Sequence, residues 1–168
     1  MRVPCVVRWP AKIPAGSSSG AITSTLDLLP TAAALSGAKV PDDRIIDGKN
    51  ILPILLGKTD QHPREAFFYY QMDQLQAVRS GEWKLFVPME SKKKNWGKPE
   101  GKTELKLFNL INDVHEDSNL ADKKPEVVKR LLALAERARE DLGDVNRPGK
   151  GQRKAGWVKT PAPRLLKK

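Results

Sequence analysis

The sequence predicts a mixed fold, α/β at its start and α+β beyond, with a small antiparallel sheet packed by a C-terminal helix. Three observations carry this reading. The chain opens on a β-branched run, Val3, Val6 and Val7, closed by Trp9-Pro10, the pattern of a strand covered on both faces. Between residues 66 and 110, aromatic and β-branched stretches alternate with turn signals. From Pro125 to Leu142, apolar residues recur at helical spacing.

The run from Arg2 to Pro10 reads as a buried strand with nothing leading into it, so the chain is expected to start in mid-fold. Cys5, a small residue within that run, is expected in the core. A Pro/Gly/Ser loop from Pro10 to Gly20 leads to a helix. Ser24 followed by Asp27 gives a capping-box-like start with an acid near the positive helix end. Leu28, Ala32 and Leu35 supply the expected packing stripe, and Gly37 is a left-handed stop. Pro30 lacks a backbone donor and is expected to bend this helix or delay its regular part.

A second unit is expected to begin near Arg64. Ala66 to Tyr70 reads as a strand, and Gln76 to Val87 as a hairpin turning through Ser80-Gly81. Alternation places Ala77 and Arg79 opposite Val78, while Trp83, Leu85 and Val87 share a face beyond the turn. Glu104 to Leu110 completes the sheet. Between these strands, Pro88 to Thr103 forms a long basic loop with Lys92, Lys93, Lys94, Trp96, Lys98 and Lys102. Pro125 suits a first helical position, and Gly143 stops the helix. Its stripe is Val127, Val128, Leu131, Leu134, Ala135, Ala138 and Leu142, opposite Lys129, Arg130, Glu136, Arg137 and Glu140, so it should lie across a sheet. The expected divisions are therefore 1–63, 64–144 and a basic tail, 145–168.

Charge is concentrated in that tail. The chain carries +10, and residues 145–168 hold eight basic side chains without one acid: Arg147, Lys150, Arg153, Lys154, Lys159, Arg164, Lys167 and Lys168. Trp157, Val158, Leu165 and Leu166 are too sparse to build a core, so the tail reads as disordered or loosely attached. Those eight residues are candidates for holding a polyanion through long-range attraction. A merely solvated tail is the plainer alternative.

Several classes find no support. No apolar run approaches the ~20 residues of a membrane span. The N-terminal stretch lacks the charged, apolar and small-residue parts of a secretory signal. One cysteine permits no internal disulfide. His62 and His115 have no partner at metal-ligand spacing and are expected to face solvent. Asp42, Asp43 and Asp47 fail the EF-hand pattern and read as loop acids, with Arg44 a ready partner. Ser17-Ser18-Ser19-Gly20 lacks the phosphate-loop frame. No residue is assigned as catalytic or as a metal ligand.

Five blocks in register resemble the sulfatases, in particular the arylsulfatase A-like members of the alkaline phosphatase superfamily. Arg2-Val3-Pro4 with Arg8-Trp9-Pro10 is similar to that family's R-V-P … R-W-P-G strand. Asp27-Leu28-Leu29-Pro30-Thr31 with Leu35-Ser36-Gly37 resembles its D-L-L-P-T … L-A-G helix. Asp47-Gly48 and Leu52 to Gly57 resemble its D-G … L-P-L-L-x-G segment. Ala77 to Leu85 resembles the A-V-R-x-G-x-W-K hairpin, and Leu107 to Leu120 the L-Y-D-L-x-x-D-P-x-E-x-x-N-L segment. Ala11 and Val114 depart from the usual Gly and Pro.

The resemblance implies the C-terminal part of an alkaline-phosphatase-like sulfatase fold and, for the parent enzyme, hydrolysis of a sulfated substrate. It also implies a formylglycine, made from the Cys or Ser of a C/S-x-P-x-R motif, and a calcium ion held by Asp and Asn ligands. Such parents are implied to be periplasmic or secreted. Cys5 is followed by Val7 and Trp9 where that motif needs Pro and Arg, so it is not the nucleophile. The expectation is a C-terminal sulfatase fragment that is inactive alone, with Lys92, Lys93, Lys94 and Trp96 as a candidate substrate rim. The alternative is a small polyanion-binding module. The first strand and helix, lacking a larger sheet, are expected to leave apolar surface open for association.

Overall fold

The fold is built around one four-stranded antiparallel sheet and one long helix. The computed structural model describes residues 3–88, 90–91, 101–102, 104–145, 147–154 and 157–161. In chain order the sheet and its surroundings comprise β1 (Phe67–Gln71), β2 (Gln74–Ser80), β3 (Trp83–Phe86), β4 (Glu90–Ser91), β5 (Gly101–Lys102) and β6 (Lys106–Asn109). Helix α3 (Pro125–Leu142) follows, then β7 (Gly143–Asp144) and β8 (Arg147–Pro148). Before the sheet come a short 3-10 turn (Thr25–Asp27), α1 (Leu28–Ser36) and α2 (Leu52–Leu55).

The sheet order is β1-β2-β3-β6, each pair antiparallel, with β4 and β5 paired as a separate ribbon. Gly81, at φ 57°, opens the β2–β3 turn as glycine-first two-residue hairpins require. Val78 pairs with Leu85, and Leu85 with Leu107, which aligns three fully buried side chains on one face. Leu75 and Val87 join them, and Leu131, Leu134, Ala135 and Ala138 of α3 close the core from above. This is the helix-on-sheet arrangement that the sequence predicts. Val127 and Val128 are half-buried, and Leu142 at the end of the expected stripe is exposed.

The first expected strand is absent. Residues 3–9 are irregular, Val3 and Val6 are 78% and 93% exposed, and Cys5 lies on the surface rather than in a core. The reason is non-local: a strand needs a ladder partner for its N–H and C=O groups, and none of the described residues supplies one.

The helix at Ser24 forms where expected but turns the other way. Ser24 and Asp27 make a complete capping box, the regular α-helix is delayed to Leu28, and Gly37 ends it at φ 71°. The expected packing stripe Leu28, Ala32 and Leu35 faces solvent, whereas Asp27, Pro30, Thr31 and Ala33 are buried. Hydrogen bonds decide this orientation. Thr31 Oγ1 donates to the Asp27 carbonyl at 2.6 Å and accepts from the Ile51 N–H at 3.0 Å, so the polar side of the helix carries the local contacts.

Part of the tail is docked rather than loosely attached. β8 pairs with β7, Lys150 N–H donates to the Glu140 carbonyl, and Gly151 N–H donates to the Asp141 carbonyl, both at 2.8 Å. These bonds satisfy carbonyls at the C-terminal end of α3 that the helix itself leaves open. Gly143 makes the turn possible: its φ is 89°, and a side chain there would meet the Arg147 carbonyl at 2.7 Å.

Candidate functional site

The most highly organised polar centre lies at the base of α1. Asp27 is fully buried and its two oxygens are both engaged. Oδ2 accepts the Ser24 N–H at 2.7 Å, while Oδ1 accepts the Lys49 N–H at 2.8 Å and the Arg64 guanidinium. Arg64 also donates to the Ile22 carbonyl at 2.9 Å. One carboxylate thus ties together residues 22–24, the loop at 49 and the residue just ahead of the sheet. Gly48 is required there, because a Cβ would collide with the Leu26 carbonyl oxygen. His62 is exposed as expected, and its Nδ1 accepts the Ile22 N–H at 3.0 Å.

A second polar centre sits on the sheet face away from α3. Strand alternation sends Lys84 and Phe86 opposite to Leu85. Lys84 Nζ lies 4.3 Å from the Phe86 ring centroid and 5.2 Å from that of Tyr69, and donates to Glu116 at 2.6 Å. Phe67 packs edge-on against Tyr69, and Phe86 against Phe108. Glu116 adopts φ 63°, a left-handed turn residue in the polar loop after β6. In that loop Asp113 accepts the N–H groups of Asp117 and Ser118 at 3.0 and 2.9 Å, which holds its carboxyl below the usual carboxylate range. His115 is exposed, as expected.

The third centre is the clasp at the end of α3. Asp144 accepts from the Leu75 N–H at 3.2 Å and from Arg139 at 2.8 Å, and Tyr70 donates its hydroxyl to the Gly143 carbonyl at 2.8 Å. Burial, followed by the nearby Asp144 charge, raises the Tyr70 phenol above its ordinary value. Arg147 pairs with Glu136 at 2.6 Å, so one of the eight candidate polyanion residues already has an acidic partner within the fold. Lys150, Arg153, Lys154 and Lys159 are exposed.

Lys92, Lys93, Lys94 and Trp96 of the candidate rim, and Arg164, Lys167 and Lys168 of the tail, lie outside the described residues. Asp43 and Arg44 form the expected exposed loop pair, and Arg44 holds the Asp43 carboxyl below its ordinary value. Sequence reasoning placed Asp27 in a cap and Lys84 in a hairpin block without assigning either to a buried ion pair. Both partners, Arg64 and Glu116, lie more than thirty positions away, beyond the reach of a local pattern.

None of these centres is a catalytic constellation. Among the described residues, no three His, Cys, Asp or Glu side chains group to hold a metal ion. Calcium and formylglycine are implied by the resemblance for a whole enzyme, and the described residues bring together no such cluster to hold the ion. What the arrangement does is hold: each buried charge is matched, and no buried side-chain polar atom among the described residues lacks a partner. No described helix is long and apolar enough to cross a membrane.

Mouse steryl-sulfatase is 43% identical over 90 residues, covering 51% of this chain and 14% of its own. The N-acetylgalactosamine-6-O-sulfatase of Bacteroides thetaiotaomicron is 33% identical over 138 residues, covering 80% of this chain and 27% of its own. A solved sulfatase structure from work on glycosaminoglycan metabolism by Bacteroides thetaiotaomicron superimposes with a TM-score of 0.65 at 32% identity, over 80% of this chain and 28% of that one. The chain thus spans between about an eighth and about a quarter of the length of the curated relatives it matches. Residues 62–160 match the family described as the C-terminal region of aryl-sulfatase, and with more than half of its length in that match the chain belongs to the sulfatase family as a C-terminal portion.

Proposed function

We propose that this chain is the C-terminal supporting portion of an arylsulfatase-type sulfuric ester hydrolase, acting on a sulfated substrate only together with a catalytic portion. The match of residues 62–160 to the C-terminal region of aryl-sulfatase carries the reading. Two further observations support silence of the chain by itself. Its one cysteine lacks the C/S-x-P-x-R frame, and the buried acids and bases described are engaged in ion pairs and backbone contacts rather than poised beside a nucleophile. In this role the sheet, α3 and the clasp form a rigid block, and the 92–96 rim is the part proposed to approach substrate.

A graft tests this. In the Bacteroides thetaiotaomicron N-acetylgalactosamine-6-O-sulfatase, the matched C-terminal region is replaced by this full chain. Retained turnover of N-acetylgalactosamine 6-sulfate, well above the same enzyme with that region deleted, is expected. Activity no higher than that of the deleted enzyme would count against the reading.

A second reading, polyanion binding, draws on the exposure of Lys150, Arg153, Lys154 and Lys159 in the tail. It expects retention on heparin that weakens steeply with salt and largely disappears when residues 145–168 are removed. Unchanged retention after that truncation would remove the tail from the account.

A further inference from the structure

We infer that the open edge of β1 is the surface on which a second copy of this chain pairs, edge to edge and antiparallel, so that two four-stranded sheets join into one.

The two edges of the sheet are finished differently. β6, at one end of the strand order, is closed by the chain itself: Leu120 N–H donates to the Leu107 carbonyl at 2.8 Å, and Leu107 N–H donates to the Asn119 side-chain oxygen at 3.0 Å. β1, at the other end, has β2 on one side only. Among the described residues, no backbone N–H or C=O of Phe67–Gln71 bonds to anything beyond that neighbour. Edge strands that stay alone are blunted by lysine, proline, an inward charge or a bulge. Ala66 to Tyr70 reads Ala-Phe-Phe-Tyr-Tyr and carries neither charge nor proline. The register shift between Tyr69 and Tyr70 arises because Gln76 is the extra residue of β2, so the bulge belongs to the covered strand and β1 itself runs regularly.

Self-complementarity sets the occupant. A two-fold axis perpendicular to the sheet at Phe68 makes the pairing isologous and keeps each side chain on its own face. Phe67 of each copy then stands opposite Tyr69 of the other, on the face away from α3, and Ala66 stands opposite Tyr70 on the α3 face. Such uncharged, largely aromatic pairs are the kind that stabilise neighbouring strands. At the ends of the pairing Glu65 of each copy meets Gln71 of the other, and no like charges oppose. A register centred on Tyr69 sets Glu65 against Asp73, two acids, and is disfavoured.

Sedimentation equilibrium of the full chain over a range of concentrations tests this, alongside Gln71→Lys and Gln71→Glu. Gln71 is exposed, so both variants are expected to keep the thermal melt of the unsubstituted chain at high dilution. The unsubstituted chain is expected to show a monomer–dimer equilibrium. Gln71→Lys, set against Glu65 of the other copy, is expected to tighten it about threefold or more, and Gln71→Glu to weaken it by a similar factor. In a mixture of isotope-labelled and unlabelled chain, NMR is expected to show contacts between copies from the backbone protons of Phe67 to those of Tyr69. A chain that stays monomeric at every concentration would overturn the inference. A dimer that neither substitution alters, or one lacking the Phe67–Tyr69 contacts, would also overturn it, because the copies would then meet on another surface.

Discussion

Asp27 holds the first half of the molecule to the sheet. Its fully buried carboxylate faces an Arg64 side chain that is 10% exposed, so removing it leaves a guanidinium without its partner in a dry site. Asp27→Ala is therefore expected to cost about 3–5 kcal/mol in a denaturant titration. Asp43→Asn, which breaks an ion pair on the surface, should leave the midpoint unmoved. Gly48→Ala, forced against the Leu26 backbone, should cost about 1–3 kcal/mol by the same titration. Asp113 gives a pH signature. Its carboxyl sits below the ordinary value in the fold, so its contribution is present above the unfolded value of about 3.9 and is lost as pH falls through the lower folded one. The amide shifts of Asp117 and Ser118 should titrate with a midpoint below about 3.9 and stop titrating in Asp113→Asn. A midpoint above that value would contradict the geometry.

At the scale of elements, α3 carries the core. Leu131 is fully buried between the helix and the sheet, and Leu131→Ala should cost about 2–5 kcal/mol, with a clearly smaller loss for the half-buried Val127→Ala. The helix was legible in the sequence because its signals are local: Pro125 at the start, an apolar stripe at regular spacing, and Gly143 at the stop. The β2–β3 hairpin was legible for the same reason, through Ser80-Gly81. The opening strand was not, because Val3, Val6 and Val7 state a preference for β structure while the ladder partner is a property of the fold. For α1 the pattern gave the helix but not its facing. Asp27 and Thr31 are buried by distant hydrogen bonds that periodicity does not encode. The tail shows a similar gap, since composition alone does not reveal that Arg147 meets Glu136 or that residues 150 and 151 cap α3.

For the whole molecule, two surfaces contrast. The sheet, α3 and the clasp are closed: their buried charges are paired and their apolar side chains are largely covered. The half around α1 and residues 3–9 displays leucine and valine to solvent. Such an asymmetry is consistent with the C-terminal portion of a sulfatase that residues 62–160 match. The polar centres at Lys84 and Asp144 hold the sheet and α3 together, and that at Asp27 ties α1 to the residue ahead of the sheet, which supports the proposed supporting role. The most direct measurement is turnover of a chromogenic aryl sulfate by the purified chain with calcium, read beside a circular-dichroism melt of the same sample. The account predicts a cooperative melt with no turnover above buffer. Turnover above buffer would contradict it and would require a nucleophile within these 168 residues.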